Sequence, residues 1–275
     1  MMCNFLQVSR SGFYWWAKTQ SEPRSNPDAC LLLHIKAIYE QHKGRYGSPR
    51  VYEALKRQGL VVGKKRVEKL MREHGLVGRT RRRFVRTTRT DKNARFAPNL
   101  LNRDFCTTGP NQKWATDVTY VDTDEGWLYL AVIQDLYSSR VIGWAISESL
   151  EVDLCSEALL MALKTRHFPK QVLHHSDRGC QYTSHAYLAI LTQYSVCCSM
   201  SRRGQCWDNA TAESFFGRLK EELFPIRPWK SRDFARSTIQ EYLENYYNCL
   251  RIKKSIGYLT PIEYEAVHAA SQNAA

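Results

Sequence analysis

No apolar run in this chain comes near the ~18 residues that a membrane span needs, and its start carries no secretory signal. The nine cysteines, at positions 3, 30, 106, 155, 180, 197, 198, 206 and 249, are odd in number and never spaced as Cys-x-x-Cys. Neither a disulfide framework nor a structural zinc site is readable from them, so free thiols in a reducing cytosol are expected, with no membrane partner. No internal repeat is present. One further shortage is regional: residues 1 to 110 hold only 8 Asp and Glu against 23 Lys and Arg, a net of +15, whereas residues 111 to 275 hold 19 against 17, a net of −2. All the basic excess behind the formal net charge of +13 therefore lies in the first part. That split predicts one domain that grips a polyanion, nucleic acid foremost, and another that does something else.

What is present is a globular composition. At 275 residues and 43% hydrophobic, the chain can bury a real core and hold two domains, one of them small. Residues 1–27 read as an aromatic helical segment, in which Ser9 or Ser11 caps a short helix carrying Phe13, Tyr14, Trp15 and Trp16; so aromatic a stretch needs the next domain or a partner to pack on. Residues 28–78 contain three helical segments. The first runs from Asp28 to about His42, the second has Ser48 and Pro49 at N-cap and N1 and ends at Gly59, and the third is Lys64 to Glu73, closed by Gly75. Short helices joined by Gly-containing turns predict a helix-turn-helix with Lys64, Lys65, Lys69 and Arg72 facing DNA; a small bundle with a solvated basic face is the alternative. Residues 79–110 are a linker whose basic run, RTRRRFVRTTRTDKNAR, includes Arg81, Arg82 and Arg83 and would become ordered on a phosphate backbone.

From Trp114 the pattern changes to strands. Ala115 to Val121, Trp127 to Gln134 and Arg140 to Ser147 predict an antiparallel meander, followed by a helix at Asp153 to Lys164 and a strand at Val172 to His175. A helix at Ser184 to Tyr194, a strand at Val196 to Met200 and a helix at Trp207 to Leu223 complete a mixed α/β sheet over residues 111–228. Residues 229–275 read as a helical extension, with a helix from Ser231 to Asn248 and an Ala-rich end expected to be disordered.

Chemistry gathers at three acids. The last helix of the sheet region, WDNATAESFFGRLKEEL, has Asp208 as a candidate N-cap, and Ala212, Phe215, Phe216, Leu219 and Leu223 on one apolar face. Glu213 falls at the edge of that face, and Lys220, seven residues later, lies about 20° from it, so a carboxylate and an ammonium stand side by side. Alone, such a pair is an ordinary surface ion pair. Upstream, however, Asp117 sits inside the first strand, where Asp has little β propensity, and Asp177 follows the short strand in LHHSDRGCQY, where α/β sheets place their sites. A carboxylate within a central strand is costly unless a cation compensates it. Three acids near one sheet edge can form a cage of oxygen ligands for Mg²⁺, and two such ions would stabilise the attacking and leaving oxygens of phosphoryl transfer. Asp135 is read as structural, and His174 and His175 as packing and hydrogen-bonding groups, since an oxygen-ligand site suits magnesium better.

Asp177 and Glu213 are separated by 35 residues, with Lys220 seven beyond. This resembles the D,D(35)E plus Lys/Arg arrangement of retroviral integrases and bacterial DDE transposases. The words DVTYVDTDEGWLYLAVIQDLYSSRVIGWAIS, HHSDRGCQYTS and SRRGQCWDNATAESFFGRLKEEL, with YGSPRVYEALKRQG upstream and YYNCLRIKKSIGYLTPIEY downstream, are similar to OrfB-type transposases of the third insertion-sequence family over nearly the whole chain. The resemblance implies an α/β RNase H-like integrase core with a mixed five-stranded sheet, preceded by the helix-turn-helix domain. It also implies two divalent ions, Mg²⁺ or Mn²⁺, with Asp117 bridging both while Asp177 and Glu213 each help hold one. Water would free a 3′-hydroxyl at the element's end, and that hydroxyl would attack a phosphodiester. Lys220 would contact double-stranded DNA, with Arg202 and Arg203 as further candidates. Implied partners are element ends and target DNA, an OrfA or OrfA–OrfB fusion product, and further copies of the chain on DNA in the bacterial cytosol and nucleoid. Two positions depart from the family: Lys253 stands for the usual His of Tyr-Asn-x-x-Arg-x-His, and Cys180 for the usual Ser after Asp-Arg-Gly. The alternatives are a catalytically silent DNA-binding regulator and an RNase H-like nuclease acting on hybrids.

Overall fold

The computed structural model describes residues 9–21, 27–79, 96–223 and 229–273. The chain divides into two compact units, Met1–Arg79 and Thr80–Ala275. Arg81, Arg82 and Arg83 lie outside the described residues.

The first unit is helical: α1 (Arg10–Ser21), α2 (Pro27–Gln41), α3 (Ser48–Arg57) and α4 (Lys64–Glu73). Ser9 Oγ accepts the Gly12 amide at 3.0 Å, so the serine caps α1. The N-cap of α3 is Gly47, with Ser48 and Pro49 inside the first turn, one residue earlier than the sequence suggests. Pro49 loses nothing there, because a first-turn amide has no intrahelical acceptor. Ile35, Ile38, Val51, Leu55, Val67, Leu70 and Met71 are buried and form the centre of this unit. Arg66 Nε donates to Asp28 Oδ1 at 2.6 Å and ties α4 to α2.

The second unit is built on one sheet of order β3-β2-β1-β4-β5. Its strands are β1 (Lys113–Thr123), β2 (Gly126–Asp135), β3 (Val141–Ser147), β4 (Leu173–Ser176) and β5 (Cys197–Met200). The first three form the expected antiparallel meander, whereas β4 and β5 run parallel to β1. Between them lie α5 (Val152–Thr165) and α6 (His185–Gln193), the latter capped by Ser184 Oγ accepting from Tyr187 N. Trp114, Ile133, Ala158, Leu159, Ala162, Tyr182 and Tyr187 belong to the main core on that side. Helix α5 rides so close to β3 that a Cβ on Gly143 would stand 2.2 Å from Ala158 O, which is why that strand position is glycine.

A short 3₁₀ turn, Cys206–Asn209, leads into α7 (Ala210–Leu223), and α8 (Arg232–Glu241) continues as a π-helical stretch, Tyr242–Tyr247. Ala212 of α7 packs with Leu101, Ala115 and Leu136, so α7 covers the sheet face that Ala115 shares with Asp117. The Ala-rich end, expected to be disordered, is helical as far as Asn273: α9 spans Pro261–Asn273, and Ala274 and Ala275 lie outside the described residues. Its Glu265 accepts from Ser138 Oγ at 2.6 Å, Arg140 Nη1 at 2.8 Å and Arg166 Nη1 at 2.9 Å, and Tyr264 packs on Tyr137. These long-range anchors hold a helix whose own end has no apolar stripe to announce it.

Candidate active site

Register brings the two aspartates together. β1 and β4 pair as Lys113 with Leu173, Trp114 with His174 and Ala115 with His175; Asp117 lies two residues beyond the last of these pairs on β1, and Asp177 directly follows β4. Asp117 Oδ1 accepts its neighbour Val118 N at 2.8 Å, and Asp177 Oδ1 accepts Gly179 N at 2.8 Å. A Cβ on Gly179 would stand 3.0 Å from that same Oδ1, so the glycine lets the backbone turn in under the carboxylate.

The third acid comes from α7. Asn209, just ahead of the helix, donates from Nδ2 to Thr116 O at 3.1 Å, which fastens the start of α7 to the strand residue before Asp117. Glu213 follows on the exposed side of the first turn, and Lys220 lies two turns on, half-buried.

Both aspartates sit deep among protein atoms while keeping an opening to solvent. Burial pushes the Asp117 carboxyl well above its ordinary range; the Asp177 and Glu213 charges add to the rise, while the Val118 amide and Lys220 oppose it. Burial likewise raises Asp177, partly offset by the Gly179 amide. Asp117 therefore feels every other member of the set. The acids do not form a closed cage, however: among the described residues no three His, Cys, Asp or Glu side chains stand close enough to hold a metal ion.

Other expected residues fall differently. Asp208 is not the N-cap of α7. Its carboxylate is fully covered and accepts from Asn99 Nδ2 at 2.9 Å, Arg103 Nε at 2.7 Å, and Arg202 N and Nε at 3.0 Å each. The hydrogen bonds from Arg202, against the opposing effect of burial and with the help of Arg103, hold it well below the usual carboxylate range. Arg202, a candidate DNA contact, is thus engaged with Asp208, while Arg203 is exposed. Lys64, Lys65, Lys69 and Arg72 all lie on the exposed side of α4, and Lys69 Nζ is 3.8 Å from Glu73.

Asp135 is structural as expected: it accepts from Asn111 N at 2.8 Å and Tyr137 N at 3.0 Å and pairs with Arg166. His174 meets Tyr187 Oη at 2.7 Å, and His175 lies between Ser199 Oγ and Ser201 Oγ. Burial lowers these two imidazoles to about 3 and about 4. Lys253 is buried too, its Nζ donating to Tyr247 Oη at 3.2 Å, so that departure from the family pattern is an interior one. Cys180 is an exposed free thiol. Sequence reasoning missed Arg103 and the buried pair of Glu222 with Arg251, in which Arg251 Nη2 approaches Glu222 Oε1 to 2.6 Å. Arg251 did stand in a quoted family word, but no periodicity could have named its partner.

A mixed sheet with acids on its central strand, at the end of the adjacent parallel strand and on the covering helix defines an integrase-like core. The family models agree: "Integrase core domain" matches residues 107–206 and again 194–261, and "HTH-like domain" matches residues 26–84. Among curated relatives, "Transposase InsF for insertion sequence IS3A" of Escherichia coli (strain K12) is 41% identical over 96% of this chain and 92% of its own length. "Insertion element IS600 uncharacterized 31 kDa protein" of Shigella sonnei is also 41% identical, over 96% of this chain and 97% of its own. The chain belongs to this family of integrase-core insertion-sequence transposases.

Proposed function

We propose that this chain is an insertion-sequence transposase that cleaves element ends and transfers the freed 3′-hydroxyl to target DNA, with Asp117, Asp177 and Glu213 as its catalytic acids. One observation carries the assignment of residues. Asp117 on β1 and Asp177 just after β4 come from neighbouring parallel strands, and Asp117 is raised by burial and by the charges of Asp177 and Glu213. Acids held together against their own repulsion are a favourable site for a cation, and an all-oxygen donor set fits Mg²⁺ or Mn²⁺. Divalent ions there, two in the family's pattern, would supply positive charge to the scissile phosphate and to the attacking and leaving oxygens. Asp117 and Asp177 would hold them from the sheet side and Glu213 from the helix side. The Lys220 ammonium, whose charge already reaches Asp117, would steady a DNA phosphate beside the acids.

Binding would be divided from chemistry. Residues 28–78 act as the helix-turn-helix domain and present Lys64, Lys65, Lys69 and Arg72 to the duplex; the basic run that opens the linker 79–110 follows the backbone with Arg81, Arg82 and Arg83, and the end of the linker packs on the core. The core is 111–228 with its extension 229–275, and the aromatic segment 1–27 packs against the OrfA product or the OrfA–OrfB fusion. Paired ends call for several copies of the chain, working in the bacterial cytosol at the nucleoid. No helix among the described residues is long and apolar enough to cross a membrane.

The test is cleavage and strand transfer by the purified chain on a duplex carrying the element's end, with Mg²⁺. Asp117→Asn, Asp177→Asn and Glu213→Gln should each abolish both steps and leave duplex binding intact. Near wild-type cleavage by any one of them would remove that residue from the site. Binding without cleavage by the unmodified chain would instead favour the silent regulator, and a preference for DNA–RNA hybrids the nuclease.

A further inference from the structure

The loop from β5 into α7 is fastened at both ends to the strands that carry the acids. Ser201 N donates to the carbonyl of Ser176, the residue before Asp177, at 2.9 Å. Asn209 Nδ2 does the same to Thr116, the residue before Asp117, at 3.1 Å. Between these anchors the covered Asp208 carboxylate draws in Arg202 and Arg103. A segment held at three points has little freedom to fold its side chains elsewhere. Yet Trp207, two residues before the Asn209 anchor and six before Glu213, is 67% exposed. The loop is cationic: Arg203 is exposed, and the Arg202 side chain and that of Arg103, from the segment before β1, remain 50% and 43% exposed despite their bonds to Asp208.

We infer that Trp207 is a stacking platform for the DNA base adjoining the scissile phosphate, with Arg203 and the open edges of Arg202 and Arg103 on the flanking phosphates. The inference rests on the phosphoryl-transfer function proposed above and adds a substrate-positioning residue to it. An indole accepts the π-face of any base, so it can hold an unstacked end nucleotide without reading its identity. An exposed indole in a loop with arginine on it and tied to it matches a polyanion with flat bases better than an apolar protein surface. The double anchoring matters because a platform is useful only if its distance from the acids is fixed, and Thr116 and Ser176 provide that reference.

The experiment uses the full chain and a duplex carrying the element's end, with 2-aminopurine at the nucleotide next to the cleaved phosphate. Wild-type protein should quench that base on binding and then cleave with Mg²⁺. Trp207→Ala should lose the quenching and slow cleavage by about 10- to 100-fold, the range expected for one lost base–aromatic stack. Trp207→Phe should retain most of both, and both variants should melt with the wild type because the ring is exposed. Cleavage and quenching by Trp207→Ala at wild-type levels would overturn the inference and leave the proposed function standing. Slower cleavage by Trp207→Ala with quenching unchanged would also overturn it, since the ring would then act on the loop and not on the base. A wild-type chain that cleaves no end duplex would overturn the proposed function and the stacking role together.

Discussion

Buried and half-buried acids in the second unit are of two kinds, and the contrast between them sets the candidate site apart. Asp208, Glu222, Asp135 and Glu265 each meet arginine: Asp208 has Arg202 and Arg103, Glu222 has Arg251, and Asp135 and Glu265 share Arg166. Asp117 and Asp177 have backbone amides, and Asp117 feels the charges of Asp177 and Glu213 with a smaller opposing one from Lys220, but neither aspartate has an ion pair among the described residues. A low-dielectric interior tolerates a carboxylate when a cation and hydrogen bonds satisfy it, as at Asp208. Where acids are instead set against acids, folding alone gains nothing from the arrangement, and a functional cation is the simplest compensation.

The largest expected effect tests the second kind. Asp177→Asn should lower strand transfer by on the order of 10³-fold, the size of several kcal/mol of lost transition-state stabilisation, without lowering the melting temperature. Loss of fold along with activity would place Asp177 with the structural acids. Next in size, Arg251→Met leaves Glu222 buried without its partner and should cost about 3–5 kcal/mol in a denaturant titration. Adding Glu222→Leu should recover part of that loss; if it does not, the pair does more than neutralise itself. Asp208→Asn should cost about 1–3 kcal/mol, because donors from three residues, Asn99, Arg103 and Arg202, lose a charged acceptor.

The smallest effects are the most discriminating, because their signs oppose. Asp117 has a raised folded pKa, so the folded state binds a proton that the unfolded state releases, and stability falls as pH rises above the ordinary carboxylate value. Asp117→Asn should therefore raise the melting temperature at neutral pH. Asp208 has a depressed folded pKa, so its contribution is full at neutral pH and is lost as pH falls through and below about 3.9. Asp208→Asn should lower the melting temperature at neutral pH and converge on wild type in acid. Shifts of the same sign for both variants at pH 7 would dissolve the distinction between the two kinds of acid.

Much of this was legible before folding. Alternation and turn residues gave β1 to β3, the 3.6-residue period gave α4 and α7, and the quoted family words singled out Asp117, Asp177 and Glu213. What could not be read was which cation each acid meets. Asp208 carries the signature of a cap because it precedes a helical pattern, but its partners, Asn99, Arg103 and Arg202, are drawn from both near and distant chain. The closing helix was missed for the same reason, since Glu265 gains its order from Ser138, Arg140 and Arg166.

By itself, then, the sequence determined which side chains are present and which face of each element they occupy, because periodicity is a local property of the backbone. Only the tertiary structure decided that Asp117 lies within reach of the Asp177 charge, that Arg202 is tied to Asp208 and that Trp207 is left exposed between two anchors. Those outcomes depend on strand register and on charges meeting across long stretches of chain, where electrostatic and packing energies, and not local propensity, select the neighbour.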